Sequence, residues 1–198
     1  SVTIPDGLTS IGQSAFNTNL LASIVIPDSV SSIGDYAFFD NALLASAALP
    51  KGLGSIGYAV FYDNALTSID IPSSVTSIGD YAFRGNNLTE IVIPDSVVSI
   101  GDYAFAVNET LGSAVLPNGL TTIGVGIFSG NGLTSIEIPD NVTSIGDYAF
   151  FENELLTSVV LPNSLESIGF AAFYKNALIS IALPNGVASI GSYAFTYN

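Results

Sequence analysis

The chain has 198 residues, 48% of them hydrophobic and 10% charged, with 17 acids against 3 bases (Lys51, Arg84, Lys175) and a net charge of -14. That charge repels phosphate backbones and anionic headgroups, and no apolar run approaches the ~20 residues of a membrane helix, which excludes nucleic-acid binding and membrane insertion from the expected functions. Cys, His, Met and Trp are absent, so the chain has no disulfide, no thiolate, no imidazole base and no nitrogen ligand for zinc or haem, and neither an enzyme nor a cofactor is expected.

Nine prolines stand at 5, 27, 50, 72, 94, 117, 139, 162 and 184, in steps of 22 or 23 residues. Seven residues after each comes Gly, eleven after comes Phe, and fourteen after comes Asn. A fixed period in the low twenties means stacked coils, each contacting its neighbours. One coil, Leu66 to Asn86, shows the logic. Ile69 and Ile71 alternate with Ser68 and Asp70, the pattern of a strand with one buried face. Pro72 ends the strand, since it cannot donate to a ladder. Ser73 and Ser74 form a turn. Val75 and Ile78 return to the core three residues apart, as a short bent second leg. Gly79 supplies a backbone conformation or close approach that a side chain would prevent. Phe83 fills the core and Asn86 closes the coil. The expected fold is therefore a β-rich solenoid, a right-handed coil of nine turns with one strand per turn in a parallel ladder and a second short irregular leg. It forms a single domain over residues 1–198. With Ser1 at the start, no Met and no signal pattern, it reads as an internal or processed part of a longer product.

Two kinds of coil alternate imperfectly. Where Val lies three residues after Pro (Val30, Val75, Val97, Val142, Val187), Tyr lies two before Phe (Tyr36, Tyr81, Tyr103, Tyr148, Tyr193). Where it is Leu (Leu8, Leu53, Leu120, Leu165), that residue is small: Ser14, Ala59, Gly126, Ala171. Overpacking costs ~1–3 kcal/mol, so the pattern reads as volume compensation between side chains touching within one turn. The three 23-residue steps all lead into the Leu kind, at Pro50, Pro117 and Pro162.

Strand, proline, Ile-Gly and Ala-Phe in this order resemble the BspA-like leucine-rich repeats, the Treponema pallidum type, and do so over all 198 residues. Many members of that family carry Cys near the position held here by Asn. The resemblance implies an extracellular or cell-surface location and noncatalytic adhesion to proteins or glycoconjugates on a surface. No individual site residue transfers with it, because the motif consists of core positions.

The Asn row is expected to satisfy backbone groups at a coil corner. The Ser or Thr before each Ile-Gly (Ser10, Ser32 and their equivalents) should bond nearby backbone. Acids after Pro (Asp6, Asp28, Asp95, Asp140) and after Gly (Asp35, Asp80, Asp102, Asp147) raise the question of calcium, but about half the turns lack one or the other and a calcium cage needs about six to eight oxygens. Asn87, Asn108 and Asn141 begin glycosylation triplets. The row Thr9, Ser31, Gly54, Thr76, Val98 is too irregular for an ice-binding array.

The outward strand positions are the candidate binding face. One row is mostly Ser with Glu90. The other reads Val25, Ala48, Asp70, Val92, Val115, Glu137, Val160, Ala182. With strands about 4.8 Å apart, its apolar members form a stripe on the order of 35 Å long, and exposed apolar stripes rimmed by polar groups mark interaction sites. Val25, Asp70, Glu90, Val92, Val115, Glu137 and Val160 are the candidate contact residues, with the turns around Asp40, Asp63 and Glu152 as the alternative. The expected function is protein binding or adhesion. The competing reading is a structural segment of a surface filament or layer, self-associating through uncapped solenoid ends.

Overall fold

The structure, a computed structural model, describes residues 2–198. It is a parallel solenoid, and none of the described residues is helical. On the first leg lie strands Ser23–Val25, Ser46–Ala48, Glu90–Val92, Ser113–Val115, Ser135–Glu137 and Ser158–Val160. The second leg carries two-residue strands, from Ser10–Ile11 and Ser32–Ile33 through Ser189–Ile190. All pairing is parallel and joins equivalent positions, such as Ile11 with Ile33 and Ile145 with Ile168.

The second leg is the more regularly paired of the two. Its Ser-Ile strands form sheets of two, three and four strands. First-leg strands pair only two at a time, and each pair spans a 23-residue step: Ser23 with Ser46, Glu90 with Ser113, Ser135 with Ser158. The cause lies at the corner after Asn. In longer coils two residues separate Asn from the buried Leu, whose N–H bonds to its own Asn carbonyl, as Leu44 does to Asn41 at 2.8 Å. In shorter coils one residue separates them, and the Leu N–H instead reaches Asn Oδ1 of the next coil, as Leu66 does to Asn86 at 3.0 Å.

Phe stacks on Phe along the whole axis, from Phe16–Phe38 through Phe173–Phe195, with centroids 5.2–5.9 Å apart and planes within 12°. Rows of Val30, Val75 and Val97, of Leu44, Leu66 and Leu88, and of Ile56 and Ile78 surround this stack. The Phe, the Leu after Asn and the Ile before Gly meet their own kind above and below, while the row three after Pro alternates Val with Leu and the strand row mixes Ile, Ala and Val.

A third hydrogen-bonded side completes the coil. Residues nine and thirteen after each proline adopt left-handed φ of 50–68°, fifteen of them non-glycine. Such residues cost roughly 1–2 kcal/mol each, but the kinks aim alternate amides along the axis: Tyr36, Phe38 and Asp40 N–H donate to the Tyr58, Val60 and Tyr62 carbonyls at 2.9–3.0 Å. The glycines seven after Pro, from the second coil onward, act by close approach. A Cβ on Gly146 would sit 2.9 Å from the Gly124 carbonyl carbon, whereas Gly12, in the first coil, faces open space.

Candidate functional site

The expected contact residues all lie exposed on the first-leg face. Val25 is 69% exposed, Val92 63%, Val115 53% and Val160 55%, and Asp70, Glu90 and Glu137 are exposed beside them. Pairing sets Val92 opposite Val115, Glu90 opposite Ser113, Glu137 opposite Val160, and Val25 opposite Ala48. The evenly spaced row expected from sequence is thereby divided. Where a 22-residue step leaves strands unpaired, the face opens into hollows. One of about 410 Å³ lies between Ser113–Leu116 and Ser135–Asp140 and includes Val115 and Glu137. Another, about 280 Å³, lies between Asp70 and Glu90 with Val92. The surface is thus ribbed: paired strands, two of the three pairs apolar in this row, alternate with open steps, and the two hollows carry carboxylates on their rims.

Other polar rows hold the scaffold together. Asn86 Nδ2 donates to the Phe61 and Phe83 carbonyls at 2.8 and 3.0 Å, joining two coils while Oδ1 takes the Leu66 amide. Asn108 is fully buried in the same role, so it offers no glycan acceptor; Asn87 and Asn141 are exposed. The acids after Gly accept backbone N–H from the next coil, Asp35 from Tyr58 at 3.0 Å and Asp102 from Val125 at 2.9 Å. Asp28 and Asp95, after Pro, accept likewise from Lys51 and Asn118 at 2.9 Å. Among the described residues no group of three acids is placed to hold a metal ion. Hydroxyl bonds to backbone come from rows beside the expected one, such as Ser96 to the Val75 carbonyl at 2.7 Å and Thr76 to Gly54 at 3.2 Å; the Ser before Ile-Gly is a strand residue.

A second surface was not expected. Tyrosines two before Phe lie outside the core, against rings of neighbouring coils: Tyr36 on Tyr58 at 5.1 Å, Tyr58 on Tyr81 at 5.6 Å, Tyr81 on Tyr103 at 5.4 Å. Phe39 and Tyr62, one residue after the core Phe, join them from the side. Gly126 lies against the Tyr103 ring of the preceding coil, so volume compensation at this position also runs between coils on the outside, while Val75 is wholly buried. Five turns later the arrangement recurs, with Tyr148, Phe151, Phe170, Tyr174 and Tyr193 in place of Tyr36, Phe39, Tyr58, Tyr62 and Tyr81. Burial, only partly offset by Arg84 and reinforced by Asp40, holds the Asp63 carboxyl above its usual range. Beside the second cluster, Lys175 is bracketed by Glu154 at 2.9 Å and Glu152 at 3.3 Å. The alternative sites Asp40, Asp63 and Glu152 border these clusters. The sequence signal was available: aromatic residues move from the ninth to the eighth position after Pro wherever the ninth is Ala, as at Tyr58-Ala59 and Phe170-Ala171.

The fold has close relatives. A leucine-rich repeat protein from Bacteroides ovatus ATCC 8483 is 39% identical, with a TM-score of 0.89 over 93% of this chain and 49% of its own. The chain thus spans about half the length of that relative. A leucine-rich repeat protein from Eubacterium ventriosum ATCC 27560 matches at 25% identity and TM-score 0.74, over 99% of this chain and 64% of its own. The T. pallidum leucine-rich repeat protein matches at 28% and 0.65, over 88% and 73%. No curated protein matches. The model of the BspA type leucine rich repeat region, of six copies, matches residues 1–89 and 76–198. With the repeat geometry and this match in agreement, the chain belongs to the BspA-type leucine-rich repeat family.

Proposed function

We propose that residues 1–198 form one noncatalytic binding or adhesion domain, working outside the cell or at its surface, with the ribbed first-leg face as its docking surface. The observation that carries this reading is the in-register pair Val92 and Val115, each more than half exposed and rimmed by Glu90, Ser113 and Glu137. Keeping valines in water, against a core that excludes it completely, points to a surface that a partner covers. The partners are proteins or glycoconjugates presented on another surface. Net charge keeps nucleic acid and anionic lipid away, and none of the described residues forms a helix long and apolar enough to cross a membrane.

The test is Val92→Lys combined with Val115→Lys, with binding measured to immobilised extracellular-matrix proteins and glycans. Both side chains point to solvent, so the melting temperature should hold while binding to whichever array member the unaltered chain recognises falls at least about tenfold. Unchanged binding would remove the face as the site. Concentration-dependent light scattering that persists in the double variant, with no array member bound by the unaltered chain, would instead support the structural reading, a layer or filament formed by solenoid stacking.

A further inference from the structure

The two aromatic clusters occupy equivalent positions five turns apart, yet they are closed differently. In the first, Tyr62 packs on Tyr81 with centroids 6.2 Å apart. The guanidinium carbon of Arg84 lies 5.1 Å from the Tyr62 ring centroid, and the guanidinium also donates to the Tyr62 hydroxyl. In the second, Tyr174 and Tyr193 stand where Tyr62 and Tyr81 do, and Thr196 stands where Arg84 does. Here Tyr174 and Tyr193 are walls of a cavity of about 290 Å³, together with Tyr148, Phe151 and Phe170, above a floor of Ala171.

We propose that this second aromatic box binds an arginine side chain of a partner polypeptide, a guanidinium supplied from outside where the first cluster has Arg84 of its own. The rings offer negative π-faces, and a guanidinium is planar and weakly hydrated enough to lie on them. The surroundings agree in sign. The molecule carries -14, and Lys175 beside the box is bracketed by Glu152 and Glu154, with the Asp147 carboxylate, which accepts the Phe170 N–H, next to Tyr148. Lysine fits less well, because its ammonium is compact and strongly hydrated. A sugar would need several converging carboxylate or amide partners, and the lining provides neither, only five rings, three of them ending in a phenolic hydroxyl, and a methyl group. The box sits on a different segment of the coil from the first-leg face, so it does not depend on that face being a docking surface.

The arrangement in the first cluster supplies the test. The full 198-residue chain, isotopically labelled at its tyrosine rings, is titrated with a capped glycyl-arginyl-glycine peptide, the lysyl analogue, and methyl β-glucoside. The arginyl peptide should shift the Tyr148, Tyr174 and Tyr193 ring signals saturably, and bind about tenfold more tightly than the lysyl one. Thr196→Arg with Tyr197→Gly rebuilds the Arg84-Gly85 corner beside Tyr174 and should abolish the shifts. Arg84→Thr should add a second set, from Tyr62 and Tyr81. Tyr193→Ser, which removes an exposed wall, should weaken binding without moving the melting temperature. Equal response to the two peptides, preferential saturation by the glucoside, or shifts that survive both the rebuilt corner and Tyr193→Ser would each overturn the proposal.

Discussion

The ring of Tyr103 rests against Gly126 of the next coil, so closely that a Cβ on Gly126 would fall inside the ring's van der Waals envelope. Gly126 also has a left-handed φ of 59°. Gly126→Ala should therefore lose about 2 kcal/mol, part from the backbone and part from overpacking. Tyr103→Ala removes the overpacking, so the two changes should couple by about 1 kcal/mol in a double-mutant cycle of chemical denaturation. Val75→Leu and Tyr81→Ala, one inside the core and one outside it, should add to within about 0.5 kcal/mol. Coupling at the second pair and additivity at the first would reverse the assignment of the compensation to neighbouring coils.

Gly146 and Gly12 hold the same position in the repeat and should respond differently. A Cβ on Gly146 meets the Gly124 carbonyl carbon at 2.9 Å, the Ile123 carbonyl at 3.0 Å and the Val125 nitrogen at 3.0 Å, all of them backbone, which cannot step aside. Gly146→Ala is expected to cost about 1–3 kcal/mol. Gly12→Ala should be neutral or stabilise by a few tenths of a kcal/mol, because nothing lies within 4 Å and the unfolded chain loses freedom. Thermal melts of the two variants side by side decide the matter.

The asparagines are not equal either. Asn108 gives its amide to the Phe83 and Phe105 carbonyls and takes the Leu88 N–H, all in the interior. Asn108→Ala strands the buried Leu88 N–H and takes one of two donors from each of the Phe83 and Phe105 carbonyls, which Asn86 and Asn131 still serve, a loss of about 2–3 kcal/mol. Asn176 takes the Asn153 N–H at 2.9 Å, but its own Nδ2 has no partner. Asn176→Ala should cost roughly half as much, read as urea midpoints of the two variants.

The coil, its period and the buried rows were legible because the same demand repeats in every layer. Phe61 must meet Phe38 and Phe83, and a repeated demand leaves a repeated residue. What could not be read depends on departures from the period. The first-leg pairing follows the extra residue at Leu43, Thr110 and Leu155, which looks like a harmless loop insertion in sequence. Fifteen left-handed residues include Val107, Tyr36 and Lys175, whose identities carry no sign of it, because bonds to the next coil offset the strain rather than residue preference. The exposed valines could be placed in sequence because period-two alternation assigns a face. The aromatic boxes left only one trace, the aromatic at position eight wherever position nine is Ala, because their walls come from positions eight, nine and twelve of different coils, and only stacking brings these together.

Coil length offers the most direct control over the binding face. The pair Val92 and Val115 exists because the coil between them has Glu109 and Thr110 between Asn108 and Leu111, so that the Leu111 N–H bonds to the Asn108 carbonyl and the Asn108 N–H reaches Asn131 Oδ1 at 2.7 Å. Deleting Thr110 gives that corner the length found between Asn86 and Leu88. The Leu111 N–H should then pass to Asn131 Oδ1, as the Leu88 N–H passes to Asn108, and strands Glu90–Val92 and Ser113–Val115 should separate into a hollow like that between Asp70 and Glu90. Hydrogen exchange would register this as lost protection at Ile93, whose N–H now bonds to the Val115 carbonyl at 3.0 Å, with the second-leg pair Ser77–Ser99 still protected. Because Thr110 is exposed and the core rows keep their phase, the cost in stability should stay within about 2 kcal/mol. Retained protection at Ile93 would mean that something other than corner length sets the pairing.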